Sequence, residues 1–206
     1  MIKQVIFIGG VNSCGKTVIT ETLQRNKGYL IGKQKRALIE VGEKKGYNWE
    51  EIPQHYEELI EQAAELLADR FQESDQEIML IDCHYAFKMK KALAMNLEKK
   101  DINEDEPFIQ AIDNRLIKIF QRKFRIRFIF LEAKPELVLQ RIKERQKNIG
   151  DQVATLESIS DSQDAELKFW KEITKNFSIE EQDKTIIKND EKIEKAITDV
   201  LSFIEK

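Results

Sequence analysis

The stretch Gly10-Val11-Asn12-Ser13-Cys14-Gly15-Lys16-Thr17 fits the pattern G-x-x-x-x-G-K-[ST], and the chemistry it suits is the holding of phosphate. Glycines permit backbone conformations that turn successive N–H groups inward, and the N-terminus of a following helix adds partial positive charge. In that setting Lys16 reaches the β- and γ-phosphates of a nucleotide, and the Thr17 hydroxyl ligates Mg²⁺. The plain alternative is a glycine-rich turn that joins a strand to a helix. Placement argues against it: the loop follows the apolar run Val5-Ile6-Phe7-Ile8 at once and opens a helical pattern, which is the context the motif requires.

A carboxylate and two guanidiniums form a second set. Asp82 directly follows Ile78-Met79-Leu80-Ile81, and ligands of open α/β sheets gather at the carboxyl ends of strands. There Asp82 would hold Mg²⁺ or its water shell, or orient an acceptor. His84, two residues on, is a candidate acceptor contact, with a structural brace as the plainer reading; Cys83 reads as packing. In PELVLQRIKERQKN, Arg141 and Arg145 are four apart and share a helical face. Planar, permanently charged groups suit the oxygens of a transferring phosphoryl group. Ion pairing with Glu136, Glu144 or Asp151 is the bland alternative. Lys33, Lys35 and Arg36 follow a brief second strand, where an acceptor would bind, and a solvated basic turn explains them as well.

The elements that must position these groups alternate. Apolar runs at Val5–Ile8, Tyr29–Gly32, Ile78–Ile81, Phe128–Leu131 and Lys184–Ile187 read as strands, the continuous ones as strands buried on both faces. Helical patterns lie between them: Thr17 to Arg25, ended by Gly28; Lys35 to Lys45; about Ile52 to Gln72. Others run from about Pro107 to Arg122 with Pro107 in the first turn, Pro135 to Lys147, about Gln163 to Asn176, and Asp190 to Glu205. Strands separated by helices imply an α/β fold, a parallel sheet of about five strands with helices on both faces. Asn96 to Glu106 reads as a polar connection. Gln146 to Ser162 is polar and loop-like, a candidate flap that closes over the donor to exclude water.

Composition bounds the rest. The 206 residues suffice for one domain, and no linker or repeat divides them. A net charge of -3 argues against broad binding to nucleic acid or an anionic membrane. No apolar run approaches the roughly 20 residues that span a bilayer. Met1-Ile2-Lys3-Gln4 enters the first strand without a cleavage-site pattern, so no secretory signal is expected. Two cysteines, Cys14 and Cys83, make neither a disulfide framework nor a metal-site spacing. The expected compartment is the cytoplasm; the oligomeric state stays open.

With the phosphate loop, the Asp82-Cys83-His84 strand end, the Arg141/Arg145 helix and the tail Ile186-Ile187-Lys188-Asn189-Asp190 in that order, the chain resembles the P-loop nucleoside monophosphate kinases. The archaeal-type adenylate kinases and related small ATP-binding kinases are the nearest pattern. The resemblance runs over nearly the whole chain as an order of elements. It implies transfer of the γ-phosphoryl group of Mg-ATP to a small acceptor, a nucleoside monophosphate such as AMP, under a small lid. On that likeness Gly10 to Thr17 hold the donor phosphates, Thr17 and Asp82 the Mg²⁺, and Lys16, Asp82, Arg141 and Arg145 the reacting group. Asn189 lies near the adenine, touching it through backbone atoms. Residues 33–75 form the acceptor-binding helical region, with Arg36 and His84 as contacts, and 141–162 the lid. The chain departs from the family at Asn48-Trp49-Glu50-Glu51-Ile52-Pro53-Gln54-His55-Tyr56, which holds no arginine where the family carries one. A non-nucleotide acceptor therefore stays open. So do a regulatory switch ATPase acting through a partner and a phosphotransferase acting on protein or RNA ends. The tail IKND does not supply the N-K-x-D base-reading motif of large GTPases.

Overall fold

The computed structural model of the chain describes residues 2–88, 107–146 and 154–206. In chain order the elements are β1 (Gln4–Gly9), α1 (Lys16–Lys27), β2 (Leu30–Ile31), α2 (Gln34–Lys44), α3 (Tyr56–Glu73), β3 (Ile78–Asp82) and β4 (Ala86–Lys88). They continue with β5 (Phe108–Gln110), α4 (Asn114–Lys123), β6 (Arg125–Glu132), α5 (Pro135–Gln146), α6 (Leu156–Asn176), β7 (Lys184–Lys188) and α7 (Ile193–Ile204). Short 3₁₀ turns, Ile52–His55 and Glu181–Asp183, lead into α3 and β7.

Five strands form one sheet in the order β2-β3-β1-β6-β7, and every neighbouring pair is parallel. Alternate side chains of the central strands enter different helical layers, as the two-residue period of a strand requires. Val5, Phe7, Met79, Ile81, Phe128 and Phe130 pack against α2, α3, α4 and α6. Ile6, Ile8, Leu80, Ile129 and Leu131 pack against α1, α5 and α7. Phe7 stacks on Phe128 with ring centroids 4.8 Å apart. The sheet is therefore buried on both faces, and the α/β expectation of about five parallel strands holds. The carboxyl ends of β1, β3 and β6 open on one rim, where Gly10–Gly15, Asp82 and Glu132 emerge.

Two expected helix boundaries move. Pro107 does not open a helix: Phe108–Gln110 pairs antiparallel with Ala86–Lys88 as a two-stranded ribbon, a non-local partnership that local pattern cannot reveal. The helix begins after Asp113, whose carboxylate accepts the Arg115 backbone N–H at 2.8 Å. α6 starts at Leu156, well before Gln163, because Thr155 and Ser158 cap each other reciprocally, with serine in the place the familiar capping box gives to Glu or Gln. Residues 154–162 are thus helix and cap, not loop. The rest of the expected flap, 147–153, and the whole of the Asn96–Glu106 connection lie outside the described residues.

Candidate active site

The loop between β1 and α1 is built by backbone constraint. Ser13 and Gly15 both have positive φ, 63° and 109°, and a Cβ on Gly15 would sit 2.5 Å from Nδ2 of Asn189. Glycine at this position thus serves a close approach as well as a turn. Asn189, 1% exposed at the exit of β7, donates from Nδ2 to the Cys14 carbonyl at 2.8 Å. Its own backbone N–H donates to Glu132 at 2.8 Å. The Asn189 side chain is thus committed to the phosphate loop, tying it to the ends of β6 and β7.

Lys16 folds across the loop and donates to the carbonyls of Gly10 (2.6 Å) and Val11 (2.9 Å). An anion that offers charged oxygens competes well with two neutral carbonyls for this ammonium. Thr17 Oγ1 donates to Asp82 Oδ2 at 2.7 Å, which puts the expected metal pair in direct contact. The register Ile8↔Asp82 brings them together. Two hard oxygen donors and no larger acidic cage suit Mg²⁺, which keeps waters and phosphate oxygens among its ligands. Among the described residues no group of three or more His, Cys, Asp or Glu could hold a metal by itself.

Both arginines of α5 reach the same loop. Arg141 makes long hydrogen bonds from Nη1 to the carbonyls of Ser13 and Cys14 at 3.4 Å and from Nη2 to that of Asn189 at 3.5 Å. Arg145 Nη1 lies 3.4 Å from Ser13 Oγ. Among the described residues, which include Glu136 and Glu144 but not Asp151, neither arginine is paired with a carboxylate. A cavity of about 820 Å³ is lined by Asn12, Ser13, Gly15, Lys16, Thr17, Val18, Asp82, His84, Arg141, Glu144, Arg145 and Ile193.

The acceptor side differs. Arg36 is exposed on α2 and is not part of the cavity lining, and Lys35 lies over the exposed Trp49 ring at 4.5 Å. His84 does line the cavity, and it has a partner that sequence reasoning missed: Nδ1 is 2.6 Å from Oε1 of Glu166. Glu166, 2% exposed on α6, accepts the backbone N–H of Tyr85 at 2.5 Å and of Ala86 at 3.3 Å through Oε2. The signal was present. Glu166 shares the helical stripe of Ile159, Phe169, Trp170 and Ile173, and a carboxylate on a buried stripe needs partners. Tyr85 is core, donating its hydroxyl to the Ile129 carbonyl at 2.9 Å. Burial raises the pKa of the Cys14 thiol and pushes that of Cys83 well up, so both stay protonated at neutral pH.

The profile of a family described as an AAA domain (AAA_18) matches residues 6–168, and the chain belongs to that family. No curated protein sequence matches it significantly. Solved structures share the fold at low identity. The YorR protein of Bacillus subtilis, in complex with phosphorylated GDP, is 16% identical, with a TM-score of 0.51 over 98% of this chain and 95% of that one. A shikimate kinase of Bacteroides thetaiotaomicron is 12% identical, with a TM-score of 0.52 over 100% of both chains. A deoxyadenosine kinase of M. mycoides with bound dATP is 12% identical, with a TM-score of 0.52 over 98% and 100%. The fold is that of P-loop kinases; adenylate kinases are not singled out.

Proposed function

We propose that the chain is an ATP-dependent phosphotransferase acting on a small molecule. The convergence of Lys16, Thr17, Asp82, Arg141 and Arg145 on one cavity supports this reading. The loop amides and Lys16 hold the donor phosphates, and Thr17 and Asp82 hold Mg²⁺, which neutralises charge on the phosphate oxygens. Arg141 and Arg145 approach the loop from α5 and stabilise charge that develops as the γ-phosphoryl group moves. Similar structures include kinases of shikimate and deoxyadenosine, which supports the reaction class. The acceptor implied by the sequence resemblance, a nucleoside monophosphate such as AMP, is one arm of the test.

The test is chromatographic product analysis with Mg-ATP and single acceptors, with Lys16→Ala as the control for contaminating kinases. ADP together with a phosphorylated acceptor from the wild type alone is the expected result. Loss of ATP at a rate independent of every acceptor would replace the reading with that of a regulatory ATPase.

A further inference from the structure

Glu166 is a buried carboxylate that the transfer chemistry above does not use, and its geometry fixes the polarity of a ring in the cavity wall. Its Oε2 accepts two backbone N–H groups, of Tyr85 and Ala86, so the carboxylate faces its partners as an acceptor. Nδ1 of His84, 2.6 Å from Oε1, then carries the ring hydrogen. In the neutral ring Nε2, on the opposite side and without a hydrogen-bond partner among the described residues, is then a lone-pair acceptor on the cavity side. A carboxylate that orients a histidine in this way sets which ring nitrogen is available.

Arg141 and Arg145, which line the same cavity, bond to Ser13 and Cys14 on the donor loop. A phosphate acceptor is an anion with no hydrogen to give. At Nε2 it would meet a lone pair, and Arg36, exposed on α2, does not line the cavity to pair with it. A hydroxyl acceptor donates to Nε2.

Resting on the phosphotransferase reading, we propose that the acceptor is an alcohol whose hydroxyl hydrogen-bonds to His84 Nε2, with Glu166 as the residue that positions the ring. In the step, the acceptor oxygen bonds to Pγ, and the bond from Pγ to the β–γ bridging oxygen breaks with its electron pair leaving on ADP. The hydroxyl hydrogen departs along the hydrogen bond to Nε2 and reaches solvent water.

The chain has two histidines, so ¹⁵N NMR of the labelled protein reads the ring directly, with His55→Gln to assign the signals. The neutral His84 ring is expected to carry its hydrogen on Nδ1. In Glu166→Gln the amide NH₂ can face Nδ1, and the hydrogen is expected on Nε2. Wild-type His84 with its hydrogen on Nε2 overturns the proposal. Product analysis then sets hydroxyl acceptors (deoxyadenosine, shikimate, gluconate) against AMP, CMP, GMP and UMP. Product from an alcohol is expected, with kcat falling about 10²-fold in Glu166→Gln while the KM for ATP holds. His84→Gln leaves Glu166 on its two amides and is expected to match that loss; melting curves of both variants report folding. Product from monophosphates alone overturns the alcohol acceptor and leaves the phosphotransferase standing. Acceptor-independent ADP formation across both sets overturns both.

Discussion

Replacing Gly15 by alanine tests the closest contact in the site, and a double-mutant cycle with Asn189→Ala separates its causes. The new Cβ would stand 2.5 Å from Asn189 Nδ2 and 3.1 Å from Ile193 Cδ1, on a backbone with φ of 109°. Positive φ costs a non-glycine residue about 1–2 kcal/mol, and overpacking adds about 1–3 kcal/mol. Asn189→Ala alone removes a 2.8 Å hydrogen bond to the Cys14 carbonyl. It also removes Oδ1, a buried acceptor without a hydrogen-bond partner among the described residues. Its cost therefore falls near the low end of the usual range, about 1 kcal/mol. In the double variant the 2.5 Å clash is gone with the amide, and the backbone strain, the lost bond and the 3.1 Å approach to Ile193 Cδ1 remain. Urea unfolding followed by circular dichroism gives each free energy, provided the m-value is unchanged. The double variant should be more stable than the sum of the singles predicts by about 1–3 kcal/mol. For a chain of this size each kcal/mol is about 2–4 °C in Tm. Additivity within about 0.5 kcal/mol would refute the claim that Gly15 is held by the approach of Asn189.

Three further outcomes follow from other parts of the molecule. Arg141→Ala is expected to lower turnover about 10²–10³-fold, since the guanidinium stabilises charge only as it moves; wild-type turnover would remove Arg141 from the reaction. Both thiols should resist alkylation of the native protein at pH 8. Their raised pKa values leave less thiolate there than a free cysteine has, and labelling of either at the rate of the urea-unfolded chain would contradict those shifts. Arg127, 1% exposed on β6, donates to the carbonyls of Ile204 and Gln182 at 3.1 Å each and lies 3.2 Å from Asp183. Arg127→Ala leaves these carbonyls unmet while Asp183 keeps Arg125, so a loss of about 2–4 kcal/mol is expected in urea unfolding.

What could be read in the sequence was local or repeated. Gly10 to Thr17 is a contiguous motif whose meaning lies in its own backbone, and the central strands announce themselves as unbroken apolar runs. Arg141 and Arg145 share a helical face by spacing alone. What could not be read depended on partners far along the chain. Phe108–Gln110 is a strand only because Ala86–Lys88 lies beside it, and Asn189 serves the loop because β7 ends next to β6. The coupling of His84 to Glu166 spans 82 positions, and neither residue predicts the other. A carboxylate among Ile159, Phe169 and Trp170 would have marked that position had α6 been extended back to Thr155.

The same apolar monotony that made the strands legible also places the chemistry. β1 and β3 are apolar toward both helical layers, so polarity cannot set their pairing as it does in a half-exposed sheet. Side-chain size and the polar ends must do so. Phe7 stacks on Phe128 in one layer while Ile6 and Ile8 fill the other. At the strand entrance Lys3 Nζ donates to the carbonyls of Phe71 and Ser74 at 2.6 and 2.5 Å, fixing β1 against the end of α3. A slip of one residue would turn Asp82 to the opposite face and displace it by about 3.3 Å along the strand. The 2.7 Å contact with Thr17 could not survive either change. Lys3, tying the start of β1 to the end of α3 just ahead of β3, thus helps set whether the carboxylate at the far end can share a metal ion with the phosphate loop.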